Sequence, residues 1–577
     1  MNAVRRVTVN GVDWRLREDV ADFLLDADAL DVWKLVEHPA AVLVKKGVHR
    51  MVFRVTLDRG TPEGTRTLDL HVKVFLLPRV RDLLRYVVRE SHSRREWRAA
   101  EALEALGIPT ARCLAAGERR TAGVLRDDVL ITETVENVRP LDRFVRDELP
   151  VMSSDERGRR VRAGAPVLAA FVRRLHDGGI RHDDFHAGNV LLRDVTEGAR
   201  QLMLIDLHAV RRGLPLAVGA RLDNLTRFNR FFFMHVSRTD RLRFWNAYVR
   251  GVPFLERHRL EYARLLEAHT RRSCERFWRK RERRCLGTNR EFRRVRHAGV
   301  TAHTVRGHIE RSPYVFQQLP RRGMDMPDAL VIKDSTTTRL WEQRIDFGSI
   351  TRTVIVKRKE RRGRGPWRLL RTFLRHVGAR HEWRMAWALR LRGLPAVEML
   401  AAFERRRLGL LTESVLVMSK VENATNLALY VREAFRGELT CEQARLRRRL
   451  ARQLGRLVAR LHRFGFTQRD LKPSNVLVSP ADGPVPDAHR DADGRGDGFR
   501  LTLIDFEGMR HRSRVVERRR VRDLATLGAK FVDEPAVRRV DMMRFLDEYV
   551  IAADIRGARR DAFVRAVVRG VAERVRR

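Results

Sequence analysis

Two stretches of this chain spell one pattern at a fixed distance. Residues 175–192 read LHDGGIRHDDFHAGNVLL and residues 461–478 read LHRFGFTQRDLKPSNVLV. Each precedes an apolar run ending in Ile-Asp, LMLIDLH at 202–208 and LTLIDFEG at 501–508. Glu96 and Glu382 stand 286 positions apart, as do Val135 and Val421, Asp184 and Asp470, and Asn189 and Asn475. A constant register over such a span does not arise from composition. The period far exceeds a solenoid repeat, so each copy is expected to be a whole domain. Asp206 and Asp505 stand 299 apart, which places 13 extra residues in the second copy. They fall in PADGPVPDAHRDADGRGDG, which reads as a long exposed hairpin loop.

Length agrees with the repeat. At 577 residues the chain exceeds what one core supports, and two domains, 1–288 and 289–577, fit the size prior. No apolar run approaches the ~18 residues of a membrane span, and the first residues carry no secretory pattern. Cys113, Cys274, Cys285 and Cys441 lack CxxC spacing, so a reducing, cytoplasmic setting without structural zinc is expected. The net charge of +45 comes almost wholly from arginine and should attract anions: a phosphorylated glycolipid, a membrane surface or nucleic acid. The plainer reading is a compositional bias that decorates every solvated helix face. Aromatic residues make up 7% of the chain and no stacking motif accompanies the charge, which disfavours nucleic acid.

Both copies run through the same parts. Alternating segments at 41–57 and 68–77 read as strands ending near Lys73, and those at 330–345 and 351–359 as strands ending near Lys357. A helix with apolar spacing then carries Glu96, ended by Gly107-Ile108-Pro109; its counterpart carries Glu382. Buried strands follow at 129–137 and 414–423, then a helix ending in Leu-His, the Asp-to-Asn loop, and further helices. Among these, Phe244 and Tyr248 match Phe545 and Tyr549. The fold class read from this order is α+β: two tandem protein-kinase-like bilobal domains, each with a small β-rich lobe and a helical lobe.

Phosphoryl transfer needs positioning and charge neutralisation more than covalent chemistry. A lysine held by a glutamate neutralises nucleotide phosphates, an Asn and an Asp hold magnesium, and another Asp accepts the acceptor's proton. Those roles fall on Lys73, Glu96, Asn189, Asp206 and Asp184, and on Lys357, Glu382, Asn475, Asp505 and Asp470. Taken singly each has a dull explanation: a VxVK or LID segment is usually a strand end, and Glu101 or Glu104 competes with Glu96. The Asp-x4-Asn loop with its downstream Ile-Asp is sharper, and its duplication sharper still. ATP and Mg are the cofactors this set calls for.

The segments SRREWRAAEALEALGIPTARCLAAGE and ARHEWRMAWALRLRGLPAVEMLAAFE, with the short run from IDL or IDF to an Arg-rich helix, resemble the lipopolysaccharide kinase family (Kdo/WaaP type). Glu96-Trp97 and Glu382-Trp383 match that family's Glu-aromatic step. The resemblance implies phosphorylation of a sugar hydroxyl on an anionic, lipopolysaccharide-like glycolipid at the cytoplasmic membrane face. It departs from kinase patterns in several places. Neither copy has a Gly-x-Gly-x-x-Gly loop; the first offers Gly47, the second Ser335 followed by three threonines. His182-Asp183-Asp184 stands where the second copy has Gln468-Arg469-Asp470, and Lys472, which would neutralise the moving phosphoryl, faces His186 at the equivalent position. Two alternatives stay open: a protein Ser/Thr kinase, favoured by RDLKPSN, and a scaffold in which one or both copies do not turn over.

A last feature lies between lysine and glutamate. Trp367, Leu370, Phe373 and Leu374 form one helical stripe interleaved with Arg364, Arg368, Arg371 and Arg375, and Leu83, Leu84 and Val87 repeat it. It suits an interfacial helix giving peripheral contact with anionic lipid, or a helix packing its stripe on the small lobe.

Overall fold

The computed structural model describes residues 3–47, 49–61, 64–77, 86–87, 89–196, 199–297, 299–306, 329–346, 351–360, 378–407, 410–480 and 498–576. The extra loop of the second copy and nearly all of the arginine-flanked stripes lie outside these residues, Leu83, Leu84, Trp367, Leu370, Phe373 and Leu374 included. Among the described residues no helix is long and apolar enough to cross a membrane.

The chain divides into two compact units, Met1–Ser273 and Cys274–Arg577. The division falls inside the helix Arg259–Glu282. Its last turns carry Trp278 against Phe464 at 5.5 Å and Glu282 onto buried Arg392 at 2.6 Å, both in the second unit.

Each unit has a small lobe built on a seven-stranded antiparallel sheet with one topology. In the first the strand order is Val4–Val9, Val12–Arg17, Cys113–Thr121, Val124–Glu133, Gly64–Phe75, Arg50–Thr61, Val42–Lys46. In the second it is Phe292–His297, Val300–Val305, Met399–Arg407, Leu410–Ser419, Thr351–Glu360, Thr338–Asp346, Leu330–Ser335. Strand alternation explains which way the key lysines point. Leu70, Val72 and Val74 enter the sheet's own apolar core, with Trp14, Val20 and Ile131, so Lys73 points to the opposite face. Val354 and Val356 do the same for Lys357.

Against that opposite face lies the glutamate-bearing helix. In the first unit it is His92–Ala105, capped by Ser91, whose side chain accepts from Arg94 N at 3.2 Å. Buried Asp128 accepts from the backbone of His92 and Ser93 at 2.8 and 3.0 Å, which ties the helix start to the sheet. Gly107, at φ +63°, stops it. In the second unit the helix is Ala379–Arg390, with Trp383 fully buried and bonded to Cys285 O at 2.8 Å.

The helical lobes repeat as well. The helices Ser154–Asp177 and Cys441–Arg463 end in His176 and His462, each 2.7 Å from a tyrosine hydroxyl, Tyr248 and Tyr549. These tyrosines sit on the matching helices Arg238–Val249 and Arg539–Ala552. Both units thus pair a small β-rich lobe with a helical lobe, one arrangement repeated along the chain.

Candidate active sites

Local pairing brings the Asn and the final Asp together. Val190–Thr196 pairs antiparallel with Ala199–Leu204, Val190 opposite Leu204. Ile205 N then donates to Asn189 O at 3.0 Å, and Asp206 follows directly. The second unit repeats this with Val476 opposite Leu503 and Ile504 N on Asn475 O at 3.0 Å. Strand pairing thus brings the same two residues together in both units although the second carries 13 more residues between them.

The Asn side chains are oriented alike. Asn189 Nδ2 donates to Asp184 O and Asn475 Nδ2 to Asp470 O, both at 3.0 Å. The amide nitrogens so engaged leave the side-chain carbonyl oxygen as the atom to face a cation. The Asp184 and Asp470 side chains are open, 64% and 57% exposed. Asp470 is met by Lys472 Nζ at 2.7 Å, whereas His186 Nε2 stands 3.8 Å from Asp184. Asp206 and Asp505 both hold left-handed backbone, φ 62° and 58°. Non-glycine residues there are strained by about 1–3 kcal/mol, a cost that collects at functional sites.

The lysines reach their glutamates. Lys73 Nζ lies 2.7 Å from buried Glu96 Oε2, and Lys357 Nζ lies 3.1 Å from buried Glu382 Oε2. The other candidates on the first helix are engaged elsewhere: Glu101 accepts from Trp97 Nε1 at 2.8 Å and Glu104 from Arg17 at 2.6 Å. Burial opposes the charge on Lys73 and Lys357, but the facing carboxylates outweigh it and hold both ammonium groups above their ordinary range. Phe506 N also donates to Glu382 Oε2 at 3.3 Å, fixing that carboxylate against the aspartate turn.

The units part company at the final aspartate. Asp505 meets Lys357 Nζ at 2.7 Å and is 37% exposed. Asp206, 21% exposed, is bound by Arg50 at 2.5 Å and by His208 Nδ1 at 3.0 Å. Burial raises the cost of charging Asp206, yet the bonds from His208 and Arg50 prevail and keep it ionised far below the usual carboxylate range. His208, hydrogen-bonded to Asp206 and close to Glu96, is pushed up to about 9. Glu96, Asp206 and His208 bring one donor atom each within 4.8 Å of one another. In the second unit Glu507 replaces His208 and is held by Lys359 at 2.6 Å.

Arg50, His208, Lys359 and Glu507 were not singled out in the sequence. The signal for His208 and Glu507 lies two residues beyond the aspartate. Arg50 is reached only through sheet register, opposite Phe75.

For magnesium the donor set fits: one amide oxygen and one carboxylate in each unit, the hard oxygen ligands this ion takes alongside water and phosphate. The fit is freer in the second unit, where one cation faces Asp505, than in the first, where two cations hold Asp206.

The sequence profile of the lipopolysaccharide kinase (Kdo/WaaP) family matches residues 57–248 and 344–549, more than half of the chain and once in each unit. The chain is 28% identical over 181 residues to a lipopolysaccharide core heptose(I) kinase WaaP of Pseudomonas aeruginosa, covering 31% of this chain and 62% of that protein. It is 32% identical over 161 residues to a 3-deoxy-D-manno-octulosonic acid kinase of Actinobacillus succinogenes, covering 27% and 61%. The chain thus spans about three fifths of the length of these curated relatives. Among solved structures, WaaP in complex with acyl carrier protein aligns with 46% of this chain and 98% of its own at 21% identity, TM-score 0.33. With both units matched by its profile, the chain belongs to the lipopolysaccharide kinase (Kdo/WaaP) family.

Proposed function

We propose that this protein is an ATP- and magnesium-dependent phosphotransferase acting on a sugar hydroxyl of a lipopolysaccharide-like glycolipid at the cytoplasmic membrane face. One observation carries the reading. A buried Lys–Glu pair, an Asn–Asp oxygen pair and an open aspartate converge in both units.

The chemistry follows from these side chains. Lys73 and Lys357, fixed by their glutamates, offer a positive charge to nucleotide phosphates. Magnesium, when bound through Asn475 and Asp505 or Asn189 and Asp206, supplies charge neutralisation at the phosphate oxygens. Asp470, open to solvent, takes the proton of the acceptor hydroxyl as its oxygen forms the new bond to the terminal phosphorus of ATP and the bridging P–O bond breaks to release ADP. Lys472 beside it neutralises charge on the transferred group, a role His186 is less suited to at 3.8 Å from Asp184. The second unit is therefore the stronger catalytic centre in this reading.

The pairing of Lys472 with Asp470 also favours a second reading, a protein Ser/Thr kinase. One assay separates them: radiolabelled ATP with a cell-envelope extract, comparing wild type, Asp184→Asn, Asp470→Asn and the double variant. Label is expected in the lipopolysaccharide fraction and lost in the double variant. Label in protein supports the Ser/Thr reading. Absence of transfer by wild type supports a non-catalytic scaffold.

A further inference from the structure

One cavity of the second unit is walled by arginine. It encloses about 340 Å3, and its lining includes Arg469, Arg510, Arg512, Arg519 and Arg522, with Glu507 as its single carboxylate. Three segments converge to build it: the loop after the strand Phe466–Gln468, the run through the strand Met509–His511, and the helix Glu517–Ala529. Arg469 N donates to Gly508 O at 3.3 Å, which closes the first segment on the second.

The charges there are not balanced. Glu507 is taken by Lys359 at 2.6 Å. Arg522 is bound to Asp523 Oδ1 at 2.6 Å, and Arg510 donates to Met509 O at 3.0 Å and meets His381 at 3.1 Å. Among the described residues no carboxylate lies within ion-pair distance of Arg469, Arg512 or Arg519. Several guanidinium groups facing one cavity repel one another unless an anion joins them. Their planar forks match phosphate oxygens.

The first unit shows what the same place looks like when neutralised. By the fixed offsets, Asp183 stands where Arg469 does and Asp223 where Arg522 does, while Gly213 and Ala220 replace Arg512 and Arg519. There Asp183 pairs with Arg211 at 2.6 Å, and Asp223 with Arg181 and Arg227 at 2.8 and 3.2 Å. General arginine enrichment does not account for a reversal of charge at equivalent positions of one chain.

We infer that the arginine-lined cavity of the second unit is a binding site for a phosphate oxyanion, held chiefly by Arg469, Arg512 and Arg519. Arg469 immediately precedes Asp470, so the bound anion sits beside the loop that carries the open aspartate. The oxyanion is either a phosphate ester already borne by a sugar or free inorganic phosphate.

Calorimetric titration of the full chain, without nucleotide or magnesium and at low salt, tests this with inorganic phosphate, glucose 1-phosphate and glucose as probes. Wild type is expected to bind the two phosphates saturably and glucose not at all. Arg469→Gln with Arg512→Gln should weaken that binding at least tenfold, while Lys357→Met, at the nucleotide side, should leave it in place. Both arginines are exposed, and Arg512→Gln alone gives the same reading if the double variant fails to fold. Tighter binding of glucose 1-phosphate identifies an esterified phosphate as the ligand, and equal binding identifies free phosphate. The inference is overturned if wild type binds neither probe, if the arginine variants bind like wild type, or if only Lys357→Met loses binding. Turnover plays no part in the readout, so failure of the kinase reading would leave this test standing.

Discussion

Asp206 in the first unit is clamped between Arg50 and His208, while its counterpart Asp505 in the second meets Lys357 and keeps more of its surface open. Around these aspartates nearly everything else is held in common: the lysine–glutamate pair, the amide that turns Asn189 and Asn475, and the histidine–tyrosine bond behind the loop. Duplication has therefore preserved the parts that set geometry and released the parts that set charge. Geometry in such a site depends on many mutually fixed contacts, so a change in one is felt by all. A charge two residues past the aspartate changes without moving the backbone. In the proposed reading that difference favours the second unit as the better-prepared centre.

The largest test is catalytic. Asp470→Asn should lower turnover by about 10²–10⁴-fold, the usual worth of a positioned general base, with nucleotide affinity changed little because a general base acts on the acceptor and not on the nucleotide. Asp184→Asn should cost much less of the total rate. Steady-state transfer alongside nucleotide titration measures both, and an equal loss in the two variants would erase the functional difference between the units.

Next comes the buried ion pair. Lys357→Met strands Glu382 and Asp505, and an uncompensated buried charge costs about 3–5 kcal/mol. The loss should fall at the lower end of that range, because Lys359 stands 3.7 Å from Glu382 Oε1 and remains to offset part of the charge. Lys73→Met leaves Glu96 with His208 at 3.7 Å. Denaturant unfolding of the full chain should register both losses together with a collapse of nucleotide binding in the affected unit. Unchanged stability in both variants would mean that the pairs hold no structural charge.

These two tests concern residues that were legible in the sequence, and the reason is physical. Lys73, Glu96, Asp184, Asn189 and Asp206 are placed by local rules, a strand end, a helix face and a short loop, and the repeat marks which copies of such common features belong together. The contacts that distinguish the units were not legible. Arg50 reaches Asp206 only because the strand pairing sets it opposite Phe75, and the register of that pairing cannot be read from either strand alone. The arginine cavity was hidden twice over. Its five arginines come from three separate segments, and a net charge of +45 makes any single arginine uninformative. The stripes carrying Trp367 and Phe373 lie outside the described residues.

A pH test probes the scaffold behind the loops. Burial is the main cause that pushes His176 down to about 4; Asn224 at 3.1 Å accepts from it, Arg221 disfavours its charge and Asp177 favours it. A depressed histidine is neutral in the fold, so its contribution to stability is full above about 6.5 and is lost as pH falls toward 4. By pH 5 that loss amounts to about 2 kcal/mol at 1.36 kcal/mol per unit. His462 is lowered too, again chiefly by burial, but Asp523 Oδ2 at 3.4 Å opposes the shift. Calorimetric scans at pH 7.5 and 5.0 should therefore show the first unit's transition falling with pH. His176→Gln should flatten its response, and an identical pH response in that variant would assign the acid sensitivity to other groups.

The smallest expected effect bears most directly on what separates the units. If Arg50 guards Asp206, Arg50→Ala releases the carboxylate for a cation at the cost of one half-buried ion pair. Such a pair near the surface is worth about 1 kcal/mol, so magnesium-nucleotide affinity of the first unit should rise about fivefold. The measurement belongs in an Asp505→Asn background, where the second unit's aspartate no longer competes, with manganese(II) as a spectroscopic stand-in for magnesium. His208 stays at 3.0 Å from Asp206, so the rise should be partial, and adding His208→Glu, the second unit's residue, should not reverse it. A fall in affinity on removing Arg50 would give that side chain the opposite role. It would then be a ligand to the nucleotide's phosphates, parked on Asp206 in their absence, and the first unit would be as well prepared for binding as the second.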